Sequence, residues 1–404
     1  MLNVIIKNPS YYISTTLQEI FKAFFGKNES KNNTKKIKNL LQTQNFLITN
    51  FGRSALYIIL LHLKKKDQTK REVLVSSYNY HEVINMILYA GLKPVFYDLK
   101  YKSLNADLSN IKKKINNNTL AIIITHFNGI NQSMQKIKLL TYKKIFLIED
   151  CAIALNTNQK NTKISKFGDY SFYSMNFTKN LNSITGGILK SSKKNINEIK
   201  KKILNFTDYN TLDNFKNYIT LFIVKMLMFK YFYFIFSFFN KINSKPLRHF
   251  FNINFKKNIQ KKIPNYYLNK LPNINNKVLA YSFKYLEDEN KIRIENNNYY
   301  YQLLKNKESI ITLIPQENLK LVTLEFPILF KNNFYKTNFL KRVKKNNLDV
   351  RKDYYVNCSN LEYLKEFKTE EFVNSKFVEE NLVCLPNNPK INIAIIQEFN
   401  SYIK

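Results

Sequence analysis

Short apolar runs that end in a polar residue constrain the fold of this chain most. Ile145–Ile148 are all apolar, and Glu149 and Asp150 follow them directly. Such a run is typical of a strand buried in a parallel sheet, with the acid at its carboxyl end. Runs of the same kind are found at Val73–Ser76, Pro94–Asp98 and Leu120–Thr125. Segments of helical length separate them, so the sequence predicts an α/β fold in which helices cover a mainly parallel sheet.

Three polar side chains follow these strands in an order that suits the cofactor pyridoxal phosphate (PLP). Asp150 ends one strand, and Ser174 and Lys179 follow at a second predicted strand end. A carboxylate can keep a pyridine nitrogen protonated, a lysine can bind the cofactor covalently and move protons, and a hydroxyl can help to hold a phosphate. Each residue alone is more typical of ordinary structure, because lysine is abundant here and acids often begin loops.

The combined motifs resemble the DegT/DnrJ/StrS family of sugar aminotransferases, which are PLP enzymes of fold type I. That family carries Ile-Glu-Asp-Ala-Ala, Phe-Gly-Asp, Ser-Phe, Thr-Lys-Asn-Leu and Gly-Gly segments in this order. The corresponding segments here are Ile148–Ala152, Phe167–Asp169, Ser171–Phe172, Thr178–Leu181 and Gly186–Gly187.

The resemblance implies a division of the chain into two domains. Residues 1–204 and 263–275 would form a large PLP-binding α/β/α sandwich, and residues 276–404 a smaller C-terminal α/β domain. Residues 205–262 exceed what the family pattern needs and are interpreted as a hydrophobic insertion. The resemblance also implies a homodimer in which each active site is built from both subunits.

It further implies roles for single residues. Lys179 would bind PLP and act as general base and acid, and Asp150 would keep the pyridine nitrogen protonated. Ser174 would hold the phosphate. His126 and Asn180 would lie in the neighbourhood of the substrate.

Two further sets of residues are candidates for cofactor binding. Gly52, Arg53 and Ser54 begin a predicted helix, where free amides and the helix dipole favour a phosphate. The family has a similar turn, although Arg53 stands where threonine is usual; helix capping is the alternative. Tyr80 falls where the family stacks an aromatic ring on the pyridine, but core packing is an alternative in a chain with 27 tyrosines.

Some positions depart from the family pattern. Ile153 replaces a usual Gln or His, and Ile184 and Thr185 replace a Gly-Glu pair that often precedes Gly-Gly. Asn265–Tyr267 is the nearest segment to the family's Asn-x-Arg. Lys179 is kept, whereas related dehydratases carry histidine there, and this favours transamination.

The net charge of +35 over 404 residues would suit nucleic acid or an anionic membrane. The lysines are spread along the whole chain, and no zinc-finger, RNA-recognition or helix-turn-helix pattern occurs. We therefore predict no specific nucleic-acid binding. The three cysteines lack metal-ligand spacing, which predicts no metal site and fits a reducing cytoplasm. The start of the chain lacks the signal-peptide pattern.

Residues 217–239 are strongly apolar but are interrupted by Lys225 and Lys230. Lysines are costly in the middle of a bilayer, so a helix in the membrane interface suits this segment better than a spanning one. A helix buried at a domain or subunit interface is an equal alternative. The expected location is the cytoplasm, free or peripheral at the inner face of the membrane.

The resemblance implies an activity, namely the amination of a nucleotide-linked keto-sugar for surface polysaccharide or lipopolysaccharide synthesis, with glutamate as the amino donor. The departures and the insertion leave a second class open. This is a non-catalytic or cofactor-binding relative that acts as a membrane-associated scaffold in glycan assembly. A nucleic-acid-binding regulator is a third hypothesis.

Overall fold

The computed structural model describes residues 6–26, 32–130, 132–141, 145–155, 158–159, 162–202, 208, 211–229, 232–233, 259, 262–314, 321–352 and 354–404. Two helices come first, α1 (Leu17–Phe25) and α2 (Asn33–Leu41). The mixed apolar and polar residues at 11–26 predict an amphipathic helix. The helix begins only at Leu17, because Thr16 and Glu19 form a capping box there. The polar and basic composition of residues 27–38 predicts a loop. That prediction is wrong from Asn33 onward, where α2 lies and buries Ile37 and Leu41.

Strands and helices then alternate in the order β1 (Phe46–Thr49), α3 (Gly52–Lys66), β2 (Glu72–Ser76), β3 (Tyr78–Asn79), α4 (His81–Tyr89), β4 (Lys93–Tyr97), α5 (Leu108–Lys114), β5 (Thr119–Thr125), α6 (Met134–Leu140), β6 (Phe146–Asp150), β7 (Asn158–Gln159), β8 (Thr162–Lys163), β9 (Tyr170–Ser174), β10 (Gly187–Ser191) and α7 (Lys193–Lys202). The four apolar runs singled out in the sequence are β2, β4, β5 and β6, within a residue or two of the expected bounds.

Seven strands form one sheet in the order β1-β10-β9-β6-β5-β2-β4. From β4 to β9 all neighbours are parallel, whereas β10 runs antiparallel to both β9 and β1. Successive side chains of a strand face opposite layers. Ile123 therefore packs with Ile59 of α3 in one core, and Ile122 packs with Ile111 of α5 in the other. The predicted α/β sandwich with a mostly parallel sheet is confirmed.

The C-terminal part has a sheet of its own. Two helices precede this sheet, α8 (Thr211–Leu227) and α9 (Asn273–Leu304). The elements that follow are β11 (Ile310–Thr312), β12 (Glu325–Phe330), α10 (Asn333–Lys345), β13 (Val356–Asn357), α11 (Val373–Asn381), β14 (Leu382–Pro386) and α12 (Ile393–Tyr402). Strands β11, β12 and β14 form an antiparallel sheet. The 32-residue α9 leads from the large sheet into this smaller α/β unit. The two parts also meet through β13, which pairs with β3.

Helix α8 lies in the region interpreted as a hydrophobic insertion. It packs against α1 and α9, and it buries Leu221 and Val224 in a core shared with those helices. Most other residues of 205–262, including much of 234–261, lie outside the described residues. Across the described part of the chain, every helix is too short or too polar to traverse a bilayer.

Candidate active site

Asp150 lies at the carboxyl end of β6 and is only 4% exposed. Its carboxylate accepts hydrogen bonds from the Ala152 amide at 3.0 Å and the Thr125 hydroxyl at 3.3 Å. Burial raises the pKa of Asp150, while the Ala152 amide and the positive charge of Lys179 oppose that rise. Asp150 is thus a fixed, nearly dry carboxyl group whose charge depends on the cations near it.

Glu149, the residue before Asp150, is directed to the other layer. Its carboxylate pairs with Nε2 of His126 at 2.9 Å and accepts from the amides of Ser165, Phe167 and Gly168. Burial alone would raise the pKa of Glu149, but the His126 and amide hydrogen bonds hold it below its ordinary value. His126, expected near the substrate, is fully buried and tied to Glu149. The pair anchors the loop after β8 beneath the strand that carries Asp150.

His126, Glu149 and Cys151 offer three ligand atoms within 4.8 Å of one another, all buried. The Glu149 oxygens already accept from backbone amides, so a cation there would compete with hydrogen bonds that hold the loop. Burial also raises the pKa of the Cys151 thiol well above its ordinary value, which disfavours the thiolate that metals require.

Lys179 lies in the loop after β9 and is 8% exposed. Its Nζ is 5.7 Å from the centre of the Tyr354 ring. The next residue, Asn180, is 3% exposed, and neither its amide nitrogen nor its amide oxygen has a hydrogen-bond partner among the described residues. Buried amides without partners are rare. Asn180 therefore offers a donor and an acceptor to a bound group beside Lys179.

The start of α3 lies directly against the end of β9. A Cβ atom on Gly52 would lie 3.0 Å from the Ser174 Cβ, so this close approach favours glycine. On the other side, a Cβ on Gly187 would meet the Phe51 carbonyl. Phe51, the N-cap residue, gives no side-chain cap, and the first-turn amides of a helix have no partners within it. These amides and the Ser174 hydroxyl lie close together and are suited to bind an anion.

Arg53 lies in this first turn, in contact with aromatic rings and an acid. Its guanidinium is 4.9 Å from the Phe51 ring centre, 4.8 Å from that of Tyr267 and 3.8 Å from the Glu82 carboxylate. Ser54, the third residue expected to bind the cofactor phosphate, is fully buried. Arg53 is thus held by stacking in a partly neutralised environment.

Tyr80 stacks on another tyrosine. Its ring and that of Tyr354 are 5.3 Å apart and inclined by only 4°. The guanidinium of Arg351 lies 4.0 Å from the same Tyr354 ring and pairs with Glu325. Sequence reasoning missed Tyr354, because its partners Tyr80 and Lys179 are distant in the chain. In the sequence, Tyr354 is marked only by its position in a pair of tyrosines shortly after Arg351.

Two of the residues that depart from the family pattern, Ile184 and Thr185, make buried contacts in the structure. Ile184 is buried beside Leu221 and Val224 of α8. The Thr185 hydroxyl donates to Asn50 and accepts from Asn275, at 2.8 and 2.7 Å. These side chains contribute to packing and to a buried polar chain. Ile153 is half-buried in the turn after Asp150.

Taken together, the groups suit PLP. A buried carboxylate, a lysine, an unpartnered amide and a helix N-terminus with a hydroxyl match the donors and acceptors that a phosphorylated pyridine aldehyde needs. The structure brings Asp150, Ser174, Lys179, Gly52 and Arg53 to the carboxyl edge of the large sheet. Substrates and cofactors of open α/β sheets commonly bind at this edge.

A model of the DegT/DnrJ/EryC1/StrS aminotransferase family matches residues 14–228 and 246–402. The chain belongs to this family. GDP-perosamine synthase of Vibrio cholerae, a relative in sequence, is 34% identical over 122 residues, which are 30% of this chain and 33% of the synthase. The alignment with that relative therefore spans about a third of either protein.

Solved structures resemble this aminotransferase-family chain over almost its whole length. PseC of Helicobacter pylori, an aminotransferase involved in the biosynthesis of pseudoaminic acid, has a TM-score of 0.75 at 16% identity and covers 98% of this chain and 97% of its own. Escherichia coli GDP-4-keto-6-deoxy-D-mannose-3-dehydratase with bound hydrated PLP has a TM-score of 0.74 at 14% identity and covers 99% and 100%. These likenesses confirm the predicted fold.

Proposed function

We propose that this protein is a PLP-dependent aminotransferase that transfers the amino group of glutamate to a keto-sugar carried on a nucleotide. The observation that carries the proposal is the placement of Lys179 and the buried Asp150 at one sheet edge, where α3 also begins. The relatives named above, a GDP-perosamine synthase and a pseudoaminic acid aminotransferase, support a role in surface polysaccharide or lipopolysaccharide synthesis.

Each residue of the site has a task in this proposal. Asp150 holds a proton on the ring nitrogen, and the first turn of α3 with Ser174 and Arg53 holds the phosphate. Lys179 would hold the cofactor covalently; once the donor's amino group has displaced it, the freed amine would remove a proton from the donor's α-carbon and return a proton as general acid. When bound, PLP accepts the electrons released at that carbon. Tyr80 with Tyr354 supplies a flat aromatic surface, and Asn180 supplies hydrogen bonds to the bound group.

Lys179 also bears on the reaction type. The DegT-family dehydratases replace this lysine with histidine, so a lysine supports transamination over dehydration. The retained Asp150 and Lys179 likewise disfavour the scaffold hypothesis, because a non-catalytic relative has no need of either group. The departures at Ile184 and Thr185 are used for packing, which reconciles them with an active enzyme.

We infer a homodimer in the cytoplasm, where glutamate and nucleotide sugars are available. The three free, buried cysteines suit that reducing compartment. We also propose the domain division at residues 1–204 with 263–275 and at 276–404, since α9 (Asn273–Leu304) bridges the two sheets. The segments at Val356, Cys358 and Phe372 belong to the small domain in sequence but pack into the core of the large one.

The first half of the reaction tests this proposal without knowledge of the sugar. Purified protein loaded with PLP and mixed with glutamate should release about one 2-oxoglutarate per subunit and then stop, because no acceptor is present. Lys179→Ala should release none. Loaded wild-type protein that releases no 2-oxoglutarate from glutamate would contradict glutamate as donor. A failure with every amino acid tried would support the scaffold.

A further inference from the structure

Helices α1 and α8 together present an apolar surface to solvent. Its large side chains are 37–72% exposed, and we call the set the phenylalanine face: Phe21, Phe25, Leu212, Phe215, Phe222 and Ile223. Exposed apolar patches of this kind on soluble domains usually mark interaction sites.

The face is continuous across the two helices. Phe24 of α1 stacks on Tyr218 of α8 at 4.2 Å and lies 6.0 Å from Phe215. On α1 the rings of Phe21 and Phe25 are 4.5 Å apart. Aromatic contacts therefore join the exposed rings of one helix to those of the other.

The exposed apolar residues of α8 lie on a different side of the helix from its buried residues. Leu221 and Val224 are 1% exposed and face α1 and α9. Leu212, Phe215, Phe222 and Ile223 recur at helical spacing on the opposite side. A helix that is apolar on both sides needs a second partner.

The charges around the face are mainly positive. Lys22 is exposed between Phe21 and Phe25, and the partly buried Lys216 follows Phe215. Lys284, beside α1, is paired with Glu19 at 3.9 Å, and Glu19 also accepts a hydrogen bond from the Tyr285 hydroxyl. A second copy docked on this face would bring like charges together in a protein of net charge +35. An anionic surface would neutralise them.

We propose that the phenylalanine face docks on the anionic headgroup surface of a membrane. The rings enter the boundary between headgroups and acyl chains, and the lysines contact lipid phosphates. The sequence pointed only to residues 217–239 as a membrane-interface segment, whereas the phenylalanine face also includes residues of α1. It is independent of the aminotransfer chemistry.

Flotation of the full-length protein with lipid vesicles tests this proposal. Vesicles contain phosphatidylcholine alone or an equal mixture with phosphatidylglycerol. We expect binding to the mixture, weaker binding in high salt and little binding to phosphatidylcholine. The Phe215→Ser/Phe222→Ser variant should lose roughly tenfold or more in affinity, because two inserting rings are removed. Phe334→Ser, at a 69% exposed position on α10, is the matched control and should bind as the wild type does.

Thermal unfolding of each variant verifies that it is folded. If the double serine variant is unfolded, Lys22→Glu/Lys216→Glu is used and should lose binding to the anionic mixture. No wild-type binding to that mixture, or equal binding by the face variants and Phe334→Ser, would overturn the proposal. It would also be overturned if light scattering without vesicles shows an assembly that the face variant dissociates, since a second copy would then cover the face.

Discussion

At the scale of single residues, the site depends on two adjacent acids with opposite tasks. The Asp150 carboxylate accepts hydrogen bonds from one hydroxyl and one amide. Glu149 is saturated by His126 and the amides of the following loop. The alternation of side chains along a strand explains how neighbouring carboxylates reach such different surroundings.

Replacement of Asp150 by Asn should leave the fold intact, because the amide oxygen can still accept from the Ala152 amide. The amide is neutral and cannot keep a ring nitrogen protonated. We therefore expect kcat to fall by about a hundredfold or more, the usual size for loss of a positioned proton-holding group. Steady-state kinetics measures this. Near-normal kcat in the variant would remove Asp150 from its role.

Arg53 stands where the family pattern has threonine, and it contacts Tyr267 of the segment that is nearest to the family's Asn-x-Arg. The structure puts the Arg53 guanidinium 4.8 Å from the Tyr267 ring centre, and the Tyr267 hydroxyl is 3.3 Å from Glu82. Arg53, Tyr267 and Glu82 therefore form one contact group at the start of α3.

A double-mutant cycle tests whether Arg53 and Tyr267 are energetically coupled. Arg53→Thr should destabilise the protein by about 1–3 kcal/mol, because it removes the cation next to the buried Glu82 and its stacking on aromatic rings. Tyr267→Arg alone would place two guanidinium groups together. The double variant should recover stability, with a coupling energy of about 1 kcal/mol or more in urea unfolding. Additive effects of the two changes would show that the residues are independent.

At the scale of elements, α8 is joined to the site loop by a departure from the family pattern. Ile184, which with Thr185 replaces the family's Gly-Glu, packs with Leu221 and Val224. Helix α8 and this apolar residue therefore form one packing unit. Lys225 of the same helix donates a hydrogen bond to the Ile13 carbonyl at 2.5 Å and so holds the segment before α1.

Lys225 should make stability depend on pH. Burial lowers its pKa from 10.5 to about 8, with a further contribution from Lys390. The folded protein therefore holds fewer protons than the unfolded chain between these two values, and stability rises with pH across that window. The stability of Lys225→Met relative to wild type should fall by about 1–3 kcal/mol between about pH 7 and pH 10.

Urea unfolding at both pH values measures this difference. Lys216→Met on the same helix is the matched control for loss of one lysine. If the wild type and Lys225→Met respond to pH in parallel, the burial of Lys225 has no energetic consequence.

The elements differed in how far the sequence specified them. Strands β5 and β6 are continuous apolar runs with one interpretation, so their type and place followed from the residues. Helix α2 was missed because its exposed side is basic and only a few apolar residues mark its packing side. The stacking of Tyr80 on Tyr354 could not be predicted, since it depends on how the C-terminal segment folds back onto the large sheet.

At the scale of the whole molecule, two α/β units meet above the candidate site. Segment 354–372 reaches from the smaller unit, so that Tyr354 contacts Tyr80 and Phe372 packs against Phe96. The order of motifs predicted the large unit well, because each motif lies at a strand end. The positive charge is distributed over the chain and indicates solvation and anion attraction more than a specific partner.

Light scattering should give a mass of about twice 48.1 kDa for the purified protein. Salt should favour this dimer, because it screens repulsion between two strongly basic subunits. A monomer that retains full activity across salt concentrations would contradict the homodimer with shared active sites.

The central claim is that Lys179 binds PLP at the site that Asp150 completes. The most direct test is to record the visible absorption of the purified or PLP-reconstituted protein, reduce it with borohydride, and map the adduct by mass spectrometry. We expect a visible band that borohydride removes, and one pyridoxyl group on Lys179 that is absent from Lys179→Ala. A colourless protein that cannot be reconstituted, or an adduct on another lysine, would contradict the account.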